Sequence, residues 1–149
     1  MGGEIEPNGY YTQASAITSG TTVRASIYPN ADVDFYAFTA RAGDRVFAAI
    51  MGSFSTGSTS TNDSQLTLLA SDGVTVIEFD DDNGTLGSLS SSIAGALIPS
   101  AGTYYLKVNH FSLTNQLRPY ELHFRVQSGA PTPEVEGNDT PATANVLAA

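Results

Sequence analysis

Apolar and polar residues alternate in short runs along most of the chain, and residues that favour turns separate the runs. In a strand, successive side chains point to opposite faces, so each alternating run predicts a strand with one buried face. The clearest run is YELHFRV, which places Tyr120, Leu122, Phe124 and Val126 on one face. Further runs occur at 22–27, 34–40, 45–51, 93–98 and 104–108.

Turn residues predict how two pairs of these runs connect. The run 34–40 is followed at once by ARAGDR and then by 45–51, so we expect these two strands to be neighbours. In SQLTLLASDGVTVIEF, two apolar runs flank Ser71, Asp72 and Gly73, a pattern typical of a hairpin.

The spacing of about eight such strands predicts an all-β fold, a two-sheet antiparallel β-sandwich of jelly-roll type. A charged content of only 14%, with 14 glycines, favours strands and turns over helices. We expect the sandwich to occupy residues 1–126. QSGAPTP at 127–133 has the composition of a linker.

The net charge, the lack of a long apolar run and the lack of cysteine limit the classes of partner and stabilising group that we expect. Fifteen acids against six bases give a net charge of -9, which repels nucleic acid and anionic membranes and attracts cations. No apolar run approaches the ~20 residues that membrane insertion by a helix needs. The chain has no cysteine, so a bound cation is a more plausible stabiliser than a disulfide, and an oxygen-rich sequence suits calcium.

Five oxygen-bearing residues predict the cation site. Glu4, Glu6 and Asn8 fall on one side of an extended segment because side chains alternate with period two. Asp32 and Asp34 repeat the spacing just before a core strand. Calcium takes 6 to 8 oxygen ligands, and these side chains with backbone carbonyls or waters would meet that demand. The alternative is a set of solvated acids.

A second candidate metal site lies in the acidic run DDDN, where a turn could gather Asp81 and Asp82 with Asp63 across the hairpin. Adjacent acids in an extended strand cannot all face one ion, so a solvated loop is the alternative here.

The sequence contains few of the residue patterns that are typical of an active site. There is no cysteine and no G-x-S-x-G motif, and the two histidines are expected beside a loop (His110) and on the outward face of the last strand (His123), so we expect no enzyme. Tyr105 and Lys107 should face outward on their strand and form a candidate ligand surface for a polysaccharide or an extracellular matrix protein. Single outward aromatic residues on an ordinary surface are the alternative.

EVEGNDT near the end of the chain repeats EIEPNGY near its beginning. Glu134, Glu136 and Asn138 stand at a constant offset of 130 from Glu4, Glu6 and Asn8 (134 − 4, 136 − 6, 138 − 8). The offset equals one domain plus its linker. It predicts that 134–149 is the start of a second, truncated copy of the module in a tandem array.

The order of five segments resembles the bacterial pre-peptidase C-terminal (PPC) domain. These segments are EIEPN, DVDFYAFTARAGDRV, DSQLTLLASDG, AGTYYLKV and YELHFRV, and together they cover about residues 4–126. The family is similar in fold to the collagen-binding domains of clostridial collagenases, which bind calcium through an acidic N-terminal segment and a D-x-D-like loop. Glu4, Glu6, Asn8, Asp32 and Asp34 match that pattern, while Gly9 stands where it usually has Asp.

The resemblance implies a non-catalytic, calcium-binding accessory or spacer module. It would belong to a secreted or cell-surface bacterial protein, contact neighbouring domains of its own chain, and be cut here from a longer precursor. The alternative is a carbohydrate- or collagen-binding module that uses an exposed aromatic sheet face.

Overall fold

The computed structural model describes residues 2–52, 63–82, 84 and 89–146. Within these residues the chain forms ten strands and one short 3-10 helix, Tyr11–Gln13. In chain order the strands are β1 (Gly2–Gly3), β2 (Ser15–Ala16), β3 (Thr22–Ile27), β4 (Val33–Ala40), β5 (Arg45–Met51), β6 (Ser64–Leu69), β7 (Val76–Asp80), β8 (Ser92–Leu97), β9 (Gly102–His110) and β10 (Leu117–Gln127).

The strands form two five-stranded sheets. The first sheet has the order β1-β3-β10-β5-β8 and the second the order β2-β4-β9-β6-β7. All pairings are antiparallel except β1 with β3 and β2 with β4, which are parallel. The predicted all-β, two-sheet fold is therefore confirmed. The two strands beyond the expected eight are the two-residue strands β1 and β2, which are too short to show alternation.

The connection between β4 and β5 corrects one prediction. These strands were expected to be neighbours, but β4 pairs with β9, whereas β5 pairs with β10 and β8. The turn between them is closed by the Asp44 amide, which donates to the Arg41 carbonyl at 3.1 Å. Gly43, at a φ of 87°, donates its amide at 2.9 Å to the carbonyl of Ile98, which directly follows β8 of the first sheet. The turn thus carries the chain from one sheet to the other.

The hairpin between β6 and β7 is confirmed. Leu66 pairs with Asp80 and Leu69 with Val76. Its turn is held by Asp72, whose carboxylate accepts hydrogen bonds from the Thr75 hydroxyl and amide and from the Val74 amide. These hydrogen bonds, that from the Thr75 hydroxyl first, lower the pKa of Asp72 to about 2.

Inward side chains of both sheets form one apolar core, which also contains three fully buried tyrosines, Tyr36, Tyr104 and Tyr120. A buried hydroxyl needs a hydrogen-bond partner. Tyr104 donates to the Ser100 carbonyl at 2.7 Å. Tyr36 and Tyr120 bond to each other at 2.7 Å across the two sheets. Their contact lies at one end of the sandwich, where the acidic residues collect.

This acidic end is the end at which β4 and β6 begin and β7 and β9 finish. The antiparallel pairing of these four strands places Asp34 and Asp63 at the same end of the second sheet. The residues that follow Asp80 lie at this end as well. Both predicted metal sites therefore fall at one end of the molecule. No helix in the described part of the chain has the length and apolar character to cross a membrane.

Candidate metal centre

Residues 4–16, here called the N-terminal segment, contact both sheets, and residues 4–8 of the segment lie at the acidic end. The Glu4 carboxylate accepts a hydrogen bond from the amide of Ser26 in β3 at 3.0 Å. The carbonyl of Asn8 accepts one from the amide of Phe35 in β4 at 3.0 Å. Because β3 and β4 belong to different sheets, the segment bridges the open side of the sandwich.

Three predicted carboxylates meet beneath this bridge. One oxygen from each of Glu4, Glu6 and Asp34 lies within 4.8 Å of the other two. Asp34 is fully buried, Glu4 is partly buried and Glu6 is exposed. The cluster is therefore open to solvent on the Glu6 side and closed against the core on the Asp34 side.

Asn8 is fully buried beside these carboxylates. Its amide N–H in the backbone donates to Glu6 Oε2 at 3.0 Å. Its side-chain oxygen faces acceptors only, in the direction of Asp34 and Glu6. With the side-chain amide turned over, the nitrogen would donate to Asp34 Oδ1 and Glu6 Oε2, at 3.1 Å each. The oxygen-inward orientation brings a fourth oxygen to the cluster, as a cation requires, while the nitrogen-inward orientation suits a cluster without one.

In the part of the chain that the structure describes, the ion pairs of basic side chains are those of Arg24 and His123 with Glu121, and not with this cluster. Glu4 Oε2 is buried and, apart from a proton shared with Asp34, has no hydrogen-bond partner among the described residues.

Burial raises the pKa of Glu4, and the hydrogen bonds with Asp34 and with the Ser26 amide oppose this rise. The charges of Glu6 and Asp32 raise the pKa of Glu4 further. Burial also raises the pKa of Asp34 to about 9, with further contributions from Glu4 and Asp32. A buried acid pair of this kind must either hold a proton or be neutralised by a cation.

Two tyrosines that sequence reasoning did not assign to the site hold Asp34 in place. The Tyr120 hydroxyl donates to Asp34 Oδ2 and is also bonded to the hydroxyl of Tyr36. This donation opposes the rise in the pKa of Asp34. The sequence could have indicated this contact, because Asp34 and Tyr36 are two residues apart in β4 and therefore share a face, and Tyr120 lies on the inward face of β10.

Asp32 stands next to the cluster but has other partners. Its Oδ2 accepts the amide of Tyr28 at 2.9 Å, and its Oδ1 accepts the amide of Val33 at 2.9 Å. Its carboxylate is absent from the group of oxygens within 4.8 Å. Because a carboxylate oxygen has more than one lone pair, these bonds leave its predicted role as a ligand open, and that role stays a prediction.

The donor set suits calcium. Three carboxylates and one amide oxygen are hard oxygen ligands, and the cluster contains no imidazole or thiol. Calcium needs two to four further oxygens, which carbonyls, Asp32 or water could supply. Gly9 adds space, since a Cβ at this position would lie 3.6 Å from the Val33 carbonyl, an ordinary contact.

The structure also brings the second predicted group together. One carboxylate oxygen from each of Asp63, Asp81 and Asp82 lies within 4.8 Å of the others. Burial raises the pKa of Asp63. Asp81 Oδ1 is buried without a partner, and its Oδ2 is 3.5 Å from the side-chain nitrogen of Gln65. Residues 53–62, 83 and 85–88, which flank this group in sequence, lie outside the described residues, and the site stays a prediction.

The candidate ligand surface is partly covered by the chain itself. The ring of Tyr105 meets that of Tyr11 edge-on at 5.5 Å between centroids. Tyr11 in turn packs on Gly73, where a Cβ would lie 2.2 Å from the ring. Lys107 is partly exposed on the same face of β9. Tyr11 thus anchors the N-terminal segment on the second sheet, and ligand binding at Tyr105 and Lys107 stays a prediction.

Comparisons with known proteins support this fold and its family. The model of the family described as "Bacterial pre-peptidase C-terminal domain" matches residues 32–110, more than half of the chain. The pre-peptidase C-terminal domain of a Bacillus anthracis collagenase has a similar structure, with a TM-score of 0.56 and 18% identity over 82% of this chain and 100% of that one.

A second similar structure is PliG from Aeromonas hydrophila, a periplasmic inhibitor of g-type lysozyme. It matches with a TM-score of 0.56 and 16% identity over 76% of this chain and 96% of that one. At these identities the two structures show a shared fold alone. No curated protein sequence matches the chain. The match over residues 32–110 shows that the chain belongs to the bacterial pre-peptidase C-terminal domain family.

Proposed function

We propose that the chain is a calcium-stabilised accessory or spacer module of a secreted or cell-surface bacterial protein. The observation that carries the proposal is the junction of Glu4 and Asp34. These carboxyls face each other where the N-terminal segment joins the two sheets, close enough to share one proton, and Glu4 Oε2 is buried there without another hydrogen-bond partner among the described residues. A divalent cation is the partner that satisfies such a junction best.

In this proposal Glu4, Glu6, Asn8 and Asp34 hold the ion, and Asp32 contributes either a ligand or its nearby charge. The ion would supply positive charge, and the oxygens of these side chains would form part of its coordination shell. Glu4 links it to β3 through the Ser26 amide, and Asn8 links it to β4 through the Phe35 amide. The N-terminal segment is therefore held in one orientation on the sandwich, which would make the module a stiff connection to whatever precedes it.

Three further observations support an accessory role. The family match describes a domain associated with peptidases rather than the peptidase itself. The cluster of carboxylates lies where a segment crosses between the sheets, with Asp34 buried and Glu4 partly buried. The repeat of the N-terminal segment at an offset of 130 supports a tandem arrangement, in which 127–133 links one module to the next.

Thermal unfolding with and without calcium tests the proposal. Calcium binds the folded state only, so the melting temperature should rise with calcium concentration and fall when EDTA is added. Glu4→Gln should remove most of the response, whereas Glu78→Gln, on β7 and outside the cluster, should keep it. Mass spectrometry of the natively purified protein should find calcium. An unchanged melting temperature in calcium and EDTA would refute the proposal.

A further inference from the structure

Residues 134–145 repeat the local structure of the N-terminal segment as well as its sequence. In the N-terminal segment the amide of Gln13 donates to the carbonyl of Tyr10 at 2.8 Å. In the later segment the amide of Thr143 donates to the carbonyl of Thr140 at 3.0 Å. Both donors and both acceptors differ by 130 (143 − 13, 140 − 10), so the same turn recurs at the offset of the sequence repeat.

A second hydrogen bond recurs at the same offset. The Ser15 hydroxyl donates to the carbonyl of Ile5 at 3.3 Å. The Asn145 side-chain amide donates to the carbonyl of Val135 at 3.2 Å. The residues again differ by 130 (145 − 15, 135 − 5), although the donor is a hydroxyl in one copy and an amide in the other. The later segment, 134–146, is here called the C-terminal segment.

In the C-terminal segment, the residues that correspond to Glu4, Glu6 and Asn8 have no hydrogen bond to either sheet within the described residues. Glu134 and Glu136 are exposed, and Asn138 is partly buried. In the described part of the chain, the hydrogen bonds that involve residues 134–146 run between members of the segment. By contrast, Glu4 and Asn8 reach strands of both sheets. The C-terminal segment therefore repeats the turn and the internal hydrogen bond of the N-terminal segment, but in the described residues it has no hydrogen bond to either sheet.

The route of the chain carries this segment away from the site of its own module. Strand β10 runs from Leu117 at the acidic end to Gln127 at the opposite end. From the level of Tyr120 to Gln127 the strand covers ~23 Å at about 3.3 Å per residue. Residues 128–134 span at most ~24 Å when fully extended, and Gly129 makes a turn at a φ of 87°. Glu134 could reach the acidic end of its own module only if residues 128–134 were fully extended along the length of the sandwich.

We propose that the C-terminal segment docks on the acidic end of a second copy of this module. There Glu134, Glu136 and Asn138 take the places of Glu4, Glu6 and Asn8 beside Asp34 of that copy. The proposal rests on the calcium site proposed above, because two acidic surfaces attract each other only through a shared cation. Asp139 takes the place of Gly9, where the space for a side chain has been described.

A labelled peptide of residues 134–146 tests the docking. The host is the full-length variant Glu4→Ala/Glu6→Ala/Asn8→Ala, whose own segment no longer holds the ion. We expect the fluorescence anisotropy of the peptide to rise with this host in calcium and to fall back in EDTA. The wild type should show a weaker rise because its own segment occupies the site. A peptide with alanine at 134, 136 and 138 should lose the calcium-dependent rise.

The outcomes separate the two proposals. If calcium raises the melting temperature of the wild type but the peptide does not bind the folded variant, or the alanine peptide binds equally, docking is wrong and the calcium site stands. If calcium does not affect the wild type, the calcium site itself is wrong. Should the triple variant fail to fold, Glu6→Ala replaces it, since Glu6 is exposed. That host should still bind the peptide in calcium, and the absence of binding overturns the proposal.

Discussion

The hydroxyl of Tyr120 donates a hydrogen bond to the carboxylate of Asp34 in the space between the two sheets. Tyr120 belongs to β10 of the first sheet and Asp34 to β4 of the second. The candidate metal centre is therefore coupled to the packing of the whole sandwich, rather than to a surface loop.

Tyr120→Phe should lower both the stability and the response to calcium. The change leaves Asp34 Oδ2 without its donor, and an unsatisfied buried acceptor costs about 1–3 kcal/mol. Tyr104→Phe is the matched control, because Tyr104 is also fully buried and donates to the Ser100 carbonyl, but does not contact the cluster. Denaturant unfolding in calcium and in EDTA measures both effects. Equal calcium responses in the two variants would contradict the coupling.

Without calcium, the free energy of unfolding should fall as the pH rises from about 4 to about 9. The pKa of Asp34 is raised from 3.8 to about 9 in the folded state, so between these values the folded state holds a proton that the unfolded state releases. Binding more protons when folded means that stability is lost as the pH rises. Calcium should flatten the dependence, because it binds the ionised carboxylate.

Asp34→Asn is the control for this pH dependence. It should reduce the slope in EDTA and stabilise the calcium-free protein at pH 8, since it removes the ionisation that burial opposes. Glu4, whose pKa is also raised, should account for part of the remaining slope. Melting temperatures measured from pH 4 to pH 9 decide the matter, and a calcium-free protein that gains stability toward pH 9 would be inconsistent with the acid cluster.

Gly9→Asp should raise the affinity for calcium and lower stability in its absence. The new carboxylate adds a ligand to the cluster, and the Val33 carbonyl leaves room for its Cβ. In EDTA the same carboxylate adds like-charge repulsion to Glu6 and Asp34. Gly9→Asn controls for size without charge. Calcium titrations followed by calorimetry should rank Gly9→Asp above the wild type, and the opposite ranking would show that residue 9 points away from the ion.

Tyr105→Ala should lower the melting temperature, in contrast to a purely solvent-exposed ligand residue. Its ring contacts Tyr11, which anchors the N-terminal segment. A double-mutant cycle with Tyr11→Ala should give a coupling of about 0.5–1.5 kcal/mol, the usual value for aromatic pairs. Zero coupling would mean that the two rings do not stabilise each other in solution.

The sequence predicted the strands better than their pairing. The run YELHFRV gave the inward face of β10 because alternation is a local signal. The placement of β4 and β5 in different sheets depends on long-range pairings, of β4 with β9 and of β5 with β10, which the local pattern of residues 34–51 does not contain. Turn residues alone could not distinguish a hairpin from a crossing between sheets.

The same limit applies to the site. Glu4, Glu6, Asn8 and Asp34 were predicted from period-two spacing, and the structure brings all four together. Tyr120 was missed because it lies 86 residues from Asp34, and a tyrosine in an alternating run first indicates core packing. The use of both Asp32 oxygens by backbone amides of its own turn was likewise not visible in the spacing.

Isothermal titration of calcium into the wild type and Asp34→Asn is the most direct test of the proposed calcium centre. We predict saturable binding to the wild type, a large loss of affinity in Asp34→Asn, and unchanged affinity in Glu78→Gln. Equal binding by the wild type and a correctly folded Asp34→Asn, or no binding to either, would contradict a calcium centre built on Asp34.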